Sequence, residues 1–205
     1  MSRALILVDI QNDFMPTGAL PVADGHAVVP VANALIAEFD TVVATQDWHP
    51  ANHGSFASQH AGKSPYELID LNGLEQVLWP DHCVQGSEGA KFVAGLNVDG
   101  ISAVFPKGTD PSVDSYSGFF DNGHRRDTGL AAWLRERDIE RLWVLGVATD
   151  YCVKFTVLDA LREGFDTSLV IDGCRGVNMN EGDVDAAIEA MREAGAKIVE
   201  SRSVR

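Results

Sequence analysis

The sequence of 205 residues is poor in positive charge. It has 16 Lys and Arg against 30 Asp and Glu, so its formal net charge is −14 at pH 7. Nucleic acids and anionic membrane surfaces attract proteins through clustered cations. The densest basic run, His124-Arg125-Arg126, is too short to reverse the acidic balance. We therefore expect neither a nucleic-acid partner nor a membrane partner.

Cysteines and long hydrophobic runs are also scarce. The three cysteines, Cys83, Cys152 and Cys174, form no CxxC pair, and an odd number does not suggest a disulfide framework. This usage favours a reducing compartment, and we expect a cytoplasmic location. The apolar run after Arg3 ends at Asp9, which is too short for a signal peptide or a membrane span.

Short apolar runs alternate with segments of helical periodicity along the chain. Six runs predict strands at 4–8, 41–45, 101–105, 142–145, 168–171 and 197–199. Four segments carry apolar residues at three- and four-residue spacing and predict helices at 28–39, 127–138, 152–163 and 183–194. Continuous apolar runs are typical of parallel strands that are buried on both faces. The predicted fold class is therefore α/β, a three-layer α/β/α domain with a mostly parallel sheet of about six strands.

The segment from about 46 to 100 breaks this alternation. It is rich in Trp, His, Pro, Asn and Gly, and it shows only a short candidate helix near 86–96. Long loops inside compact domains are usually functional or disordered, and the aromatic and histidine content argues against disorder. We expect residues 1–205 to form one domain in which this long loop region carries part of the site.

Reactive side chains follow successive predicted strands. Asp9 follows the first strand, Asp47 and His49 follow the second, Lys107 follows the third, and Cys152 follows the fourth after a short turn. In open α/β sheets the ligand site lies beyond the carboxyl ends of the strands. We therefore expect these groups to meet at one edge of the sheet.

Three of these residues suit a nucleophilic reaction, although each has a simpler interpretation. Burial at a strand end would raise the pKa of Asp9 and suit it to proton transfer, but aspartate is also common in turns. A cation at Lys107 and the start of a helix would lower the pKa of the Cys152 thiol. Lys107 could equally be a solvated surface charge, and Cys152 a buried structural thiol. Cys83 and Cys174 lack such a setting and are interpreted as structural.

Asp47, His49 and His82 suggest a metal site. Asp47 and His49 occupy alternate positions, so an extended backbone places both side chains on one side. Two imidazoles and a carboxylate with open coordination positions suit Zn²⁺, Fe²⁺ or Mn²⁺ at a catalytic or substrate-binding site. His53 is a further candidate ligand, and His82 could instead be a core histidine.

Several segments together are similar to a known protein family. They are Leu7-Val8-Asp9-Ile10-Gln11-Asn12-Asp13-Phe14, Gln46-Asp47-Trp48-His49-Pro50, Trp79-Pro80-Asp81-His82-Cys83, Phe105-Pro106-Lys107-Gly108 and Gly146-Val147-Ala148-Thr149-Asp150-Tyr151-Cys152-Val153. In their order and spacing they resemble the isochorismatase-like cysteine hydrolases, and within them the bacterial nicotinamidase and pyrazinamidase group. The resemblance runs over nearly the whole chain. It implies hydrolysis of nicotinamide to nicotinate and ammonia in NAD salvage, with side activity on pyrazinamide.

The resemblance also implies roles for individual residues. The catalytic residues that it implies are Asp9, Lys107 and Cys152. The substrate-binding rings that it implies are Phe14, Trp79 and Tyr116. The metal ligands that it implies are Asp47, His49 and His82, which would hold one divalent ion, zinc first and iron or manganese as alternatives. It further implies a thioester intermediate on Cys152 and a cis peptide before Ala148 that aims the backbone amides of Ala148 and Cys152 at an oxyanion. Whether His53 is an additional ligand stays open.

Other functions also stay open on the sequence alone. Isochorismatases lack this cysteine and metal set, and carbamoyl-amide hydrolases generally lack the metal ligands, yet both resemble the chain in fold. Aspartyl-phosphate phosphatases need a second acid two residues after the strand-end aspartate, and Gln11 stands there. A metal- or ligand-binding module, or a redox sensor that uses Cys152, would be a non-enzymatic alternative. The sequence allows either a monomer or a homo-oligomer.

Overall fold

A parallel sheet forms the centre of the fold. The computed structural model describes residues 2–204, and over that range the chain forms eight strands. They are β1 Ser2–Val8, β2 Val42–Asp47, β3 Leu68–Leu71, β4 Leu74–Val77, β5 Ala103–Lys107, β6 Ile139–Val147, β7 Asp166–Arg175 and β8 Lys197–Val199. Six of them pair in parallel in the order β5-β2-β1-β6-β7-β8, whereas β3 and β4 form a separate antiparallel hairpin.

Helices flank the sheet. The α-helices of residues 2–204 are α1 Val28–Ile36, α2 Leu130–Arg135, α3 Lys154–Arg162 and α4 Asp183–Glu193. Shorter helical turns lie at Asn12–Phe14, Gly25–Ala27, Ala57–Gln59, Val98–Gly100, Thr149–Val153 and Ser201–Ser203, and the turn at Thr149–Val153 has π-helical geometry. Among the helices of this described part of the chain, none has the length and apolar character that crossing a membrane requires.

The register of the strands sets the position of the site. Residues 4–8 of β1 are buried, as expected for a central strand that is covered on both faces. β1 pairs with β6 so that Val8 lies beside Gly146, and β2 pairs with β5 so that Asp47 lies beside Lys107. The polar residues at the ends of these strands are therefore delivered to the same edge of the sheet.

The predicted fold class is confirmed, since the chain has a six-stranded parallel sheet flanked by helices. The predicted strands and helices agree with the observed ones within a few residues at their ends. The largest difference is at 127–138, of which only Leu130–Arg135 is α-helical. Asp127 instead forms an isolated bridge with Phe120, and its carboxylate accepts the N–H of Gly129 at 2.9 Å.

The helix predicted near 86–96 is wrong, because this segment is a series of turns. Its backbone pairs with the loop that follows β1. The N–H of Asn12 donates to the carbonyl of Lys91, and the N–H of Val93 donates to the carbonyl of Ile10. These long-range bonds use the groups that a local helix would have needed.

The hairpin of β3 and β4 is absent from the sequence prediction. Its turn is Asn72-Gly73, with φ of 55° and 86°, and an Asn-Gly pair between two short runs is a known hairpin signal. The flanking strands are only four residues long, and within them only Gln76 is buried. In sequence, the runs Leu68–Leu71 and Leu74–Val77 lack the strict alternation of apolar and polar residues by which a strand is usually found.

Candidate active site

The buried side chain of Lys107 connects the residues that the sequence nominates for catalysis. Its Nζ lies 2.9 Å from Asp9 Oδ2, 2.9 Å from Asp47 Oδ1 and 3.4 Å from Cys152 Sγ. It also donates to the carbonyl of Ser115 at 2.9 Å. A buried ammonium needs such partners, because an unpaired charge away from water is strongly unfavourable. The alternative that Lys107 is a solvated surface charge is therefore wrong.

The charges around Lys107 affect the pKa of its ammonium and the pKa values of the neighbouring carboxylates. Burial disfavours the ammonium, but the carboxylates of Asp47 and Asp9 outweigh it and raise the pKa of Lys107 well above its usual range. Burial also opposes the Asp47 carboxylate, yet His49 and Lys107 hold the pKa of Asp47 well below its usual range. At Asp9, burial outweighs Lys107 and the pKa is raised, as the sequence analysis expects. A carboxylate with a raised pKa is suited to proton transfer.

The orientation of Asp9 is set by Thr45 on β2. The Thr45 hydroxyl donates to Asp9 Oδ1 at 2.6 Å, and its oxygen accepts the backbone N–H of Asp9 at 3.2 Å. This pair of bonds fixes one carboxylate oxygen and directs the other, Oδ2, towards Lys107. Both side chains are fully buried, so these bonds form away from competing water.

Burial raises the pKa of the Cys152 thiol well above its usual range, which favours the protonated thiol. The carboxylates of Asp9 and Asp47 add to this rise, and Lys107 opposes it. Lys107 thus lowers this pKa, as the sequence predicts, but burial outweighs its effect. Cys152 lies in the π-helical turn Thr149–Val153 and needs a base when it attacks a substrate. The Asp9 carboxylate lies within hydrogen-bonding distance of this thiol.

The side chains of Asp47, His49 and His82 meet at one point. Nε2 of His49 lies 3.0 Å and Nε2 of His82 lies 3.3 Å from the same oxygen, Asp47 Oδ2. Their Nδ1 atoms lie 2.9 Å from the carbonyl of Gly108 and 2.8 Å from the carbonyl of Pro80. Because a carbonyl only accepts, each neutral ring carries its proton on Nδ1 and presents a lone pair at Nε2. Three acceptor atoms that face one another in this way fit a divalent metal ion.

His53 lies next to this group but is held differently. Its ring centroid is 4.3 Å from that of His49, and His49, His53 and Asp114 have ligand atoms within 4.8 Å of one another. The backbone N–H of Ser55 donates to His53 Nδ1 at 3.2 Å, so the neutral ring carries its proton on Nε2. Burial lowers the pKa of His53, which favours that neutral ring. Within residues 2–204, Nε2 of His53 has no hydrogen-bond partner.

A cavity opens beside the thiol and the metal-binding group. The residues expected to bind substrate, Phe14, Trp79 and Tyr116, all line it, as does Ala148. The indole N–H of Trp79 donates to the Tyr116 hydroxyl at 3.2 Å, which connects two of the rings. The peptide bond between Val147 and Ala148 is cis, as the resemblance implies. The lining of the cavity thus combines aromatic rings with the Cys152 thiol and with Asp47 and His82 of the metal-binding group.

Four further residues line the cavity and are missed by the sequence analysis. They are Leu20, Asp114, Tyr151 and Val177. Tyr151 precedes Cys152 in one of the family motifs, and its ring centroid lies 4.9 Å from that of Trp79, so its role could have been inferred. Leu20 and Val177 come from irregular loops with no pattern that indicates a site.

Comparison with known proteins agrees with this geometry. Residues 3–203 match the isochorismatase domain family. The chain is 56% identical over 200 residues to the nicotinamidase of Escherichia coli, covering 96% of this chain and 93% of that protein. The structure of an Acinetobacter baumanii nicotinamidase and pyrazinamidase superposes with a TM-score of 0.95 at 44% identity, covering 98% and 97% of the two chains. A Pyrococcus horikoshii pyrazinamidase in complex with zinc gives a TM-score of 0.80 at 40% identity, covering 98% and 99%. Over nearly its whole length, the chain belongs to the isochorismatase family.

Proposed function

We propose that this protein hydrolyses nicotinamide to nicotinate and ammonia through a thioester on Cys152. The observation that carries the proposal is the arrangement around Lys107, whose ammonium joins the Asp9 carboxylate to the Cys152 thiol beside an aromatic cavity. The identity with the Escherichia coli nicotinamidase supports an amide as the substrate. The reaction belongs to the salvage of NAD, in which nicotinamide is the starting compound.

The cavity suits a flat and neutral ring. The rings of Phe14 and Trp79 offer faces and edges against which a pyridine can pack, and Tyr116 completes this wall. Pyrazinamide has the same size and differs by a nitrogen in place of a ring CH. We infer that it is a second substrate, and the name of the Acinetobacter baumanii relative supports this.

The metal group would hold one divalent ion through Asp47, His49 and His82. Zinc is our first choice, supported by the zinc complex of the Pyrococcus horikoshii pyrazinamidase, and iron or manganese also accept this donor set. When bound, such an ion supplies a Lewis acid for the ring nitrogen of the substrate. Asp47 also contacts Lys107. Its carboxylate would therefore both hold the ion that binds the substrate ring and orient the catalytic lysine.

The residues of the chain account for each proton in the reaction. Asp9 takes the proton of Cys152 as the sulfur attacks the carboxamide carbon, and Lys107 stabilises the charged groups. The backbone amides of Ala148 and Cys152 donate to the oxyanion, a contribution of about 3 kcal/mol per donor in comparable sites. Asp9 then donates this proton to the amide nitrogen, which leaves as ammonia. A thioester remains on Cys152. Asp9 next deprotonates a water molecule that hydrolyses the thioester and restores the thiol.

Replacement of the nucleophile tests this proposal. We expect Cys152→Ala to release no ammonia from nicotinamide, because no other described thiol lines the cavity. The metal content of the variant should equal that of the unmodified protein, since Cys152 is not among the proposed ligands. The measurements are a colorimetric ammonia assay and elemental analysis of the dialysed protein.

Cys174→Ala provides the matched control. Cys174 is also buried, and its thiol donates to the carbonyl of Val170 at 3.3 Å, outside the cavity. This variant should keep its turnover. Ammonia release by Cys152→Ala would exclude the thioester mechanism, and no release by the metal-loaded unmodified protein would favour a non-catalytic binding module.

A further inference from the structure

The buried amide of Gln76 contacts the cavity wall from behind. Gln76 lies on β4, is 2% exposed and is the one buried residue among the eight that form the described hairpin strands. It does not line the cavity itself. The remaining residues of β3 and β4 are exposed or half-buried, so the hairpin contributes little apolar packing. What it does contribute to the interior is this single polar side chain.

The amide nitrogen of Gln76 reaches three acceptors at once. Nε2 lies 3.1 Å from Asp114 Oδ2, 3.0 Å from the Tyr116 hydroxyl and 2.7 Å from the carbonyl of Val77. Tyr116 in turn accepts the indole N–H of Trp79 at 3.2 Å. Asp114, Tyr116 and Trp79 all line the cavity. One buried side chain is therefore bonded, directly or through one step, to three residues of the cavity wall.

The hydrogen bonds of the buried Gln76 amide do more than fill space. A buried amide without partners is costly, whereas an apolar residue of the same length would fill the space without that cost. The hydrogen bonds of Gln76 are directional, so they fix the Tyr116 hydroxyl and, through it, the plane of the Trp79 indole. Ring packing against a flat substrate depends on the position of that plane.

We propose that Gln76 is a positioning residue that sets the affinity for the aromatic amide by holding Tyr116 and Trp79, without touching the substrate. This inference rests on the proposed function. It concerns binding and leaves the chemistry at Cys152 and Asp9 unaffected, because Gln76 contacts neither residue. The hairpin of β3 and β4 is thus the element that delivers this residue to the site.

Gln76→Met tests the proposal, because methionine keeps the length of the side chain and removes its hydrogen bonds. We expect KM for nicotinamide to rise about ten-fold, the effect of losing one or two hydrogen bonds. We expect kcat to change by less than about two-fold, since only binding is affected. The matched control is Glu75→Gln, which alters the exposed neighbour on the same strand and should change neither constant.

A comparison of a single and a double variant distinguishes a positioning role of Gln76 from a role in packing alone. Gln76→Glu places a carboxylate against Asp114 and should raise KM further than Gln76→Met does. Adding Asp114→Asn supplies an amide that can donate to the new carboxylate, and KM should then fall back towards that of the unmodified protein. A role in packing alone would give no such rescue. If Gln76→Met fails to fold, this comparison of single and double variants decides the question.

The outcomes distinguish this inference from the proposed function. Unchanged KM in Gln76→Met, or a double variant no better than Gln76→Glu, would overturn the role of Gln76 while nicotinamide turnover by the unmodified protein stands. Absence of ammonia release by the unmodified, metal-loaded protein would instead remove the proposed function. Nicotinamide binding in a Cys152→Ala background, measured by calorimetry, should show the same ten-fold weakening when Gln76→Met is added.

Discussion

Three buried histidines lie close together, and their hydrogen bonds assign them different roles. His49 and His82 direct Nδ1 to backbone carbonyls, so Nε2 is free to bind a cation. His53 receives the N–H of Ser55 at Nδ1, which leaves the proton of its neutral ring on Nε2. A nitrogen that carries a proton cannot ligate a metal. The hydrogen-bond partner of each ring, rather than its distance from the group, is therefore the reason that His49 and His82, and not His53, are the proposed ligands.

This difference predicts how two similar substitutions affect metal binding. His82→Asn should lose most of the bound metal, because it removes one of three proposed ligands. His53→Asn should retain metal at close to the level of the unmodified protein, since the lone pair of its neutral ring accepts the N–H of Ser55. The measurement is the metal content after dialysis against a weak chelator, with circular dichroism to confirm that both variants fold. Equal loss of metal in the two variants would show that His53 is a fourth ligand.

Among the elements, the strands and their carboxyl ends could be predicted from the sequence, and the loops could not. Apolar runs are local signals, and the parallel arrangement then requires Asp9, Lys107 and Cys152 to meet at one edge. The turns at 86–96 depend instead on backbone pairing with a loop far away in sequence. Gln76 escapes prediction for the same reason, because its partners come from a separate segment. Local sequence patterns identify the proposed catalytic groups, and long-range hydrogen bonds position the residues that line the cavity around them.

One part of the cavity wall is held by Asp150, two positions before Cys152. The carboxylate of Asp150 accepts the N–H of Val177 at 3.0 Å and the N–H of Asn178 at 2.7 Å. Gly176 allows this approach, since a Cβ there would lie 2.9 Å from Asp150 Oδ1. The turn that carries Cys152 is thereby tied to the loop after β7. Val177, at the end of this connection, lines the cavity.

We therefore expect Asp150→Asn to weaken substrate binding more than it slows the chemistry. An asparagine offers one acceptor oxygen where the carboxylate offers two, so one of the two N–H groups loses its partner. KM for nicotinamide should rise by roughly five-fold, the effect of one lost hydrogen bond. The control is Asp183→Asn, because Asp183 bonds Asn180 in the same loop but does not line the cavity. Steady-state kinetics that show equal KM in the two variants would contradict this role of the loop.

For the molecule as a whole, the excess of acidic residues is opposed at the site by local cations. The chain carries a formal charge of −14, whereas the site places the Lys107 ammonium and a proposed divalent ion beside the cavity. A neutral amide does not respond to the global field. The product nicotinate is an anion, so the negative charge of the protein as a whole repels it. The repulsion of nicotinate by the charge of the whole protein acts over long distances, at which dissolved salt screens it strongly.

The inhibition by nicotinate should therefore depend on ionic strength, and the KM for nicotinamide should not. At about 0.01 M salt the screening length is about 30 Å, so the repulsion by the surface acts in full and inhibition is weakest. At about 1 M it is about 3 Å, so the repulsion is lost and the inhibition constant should decrease, which means tighter inhibition. The neutral substrate, measured in the same buffers, is the internal control. An inhibition constant that stays the same across this range would mean that the surface charge has no influence on the binding of nicotinate.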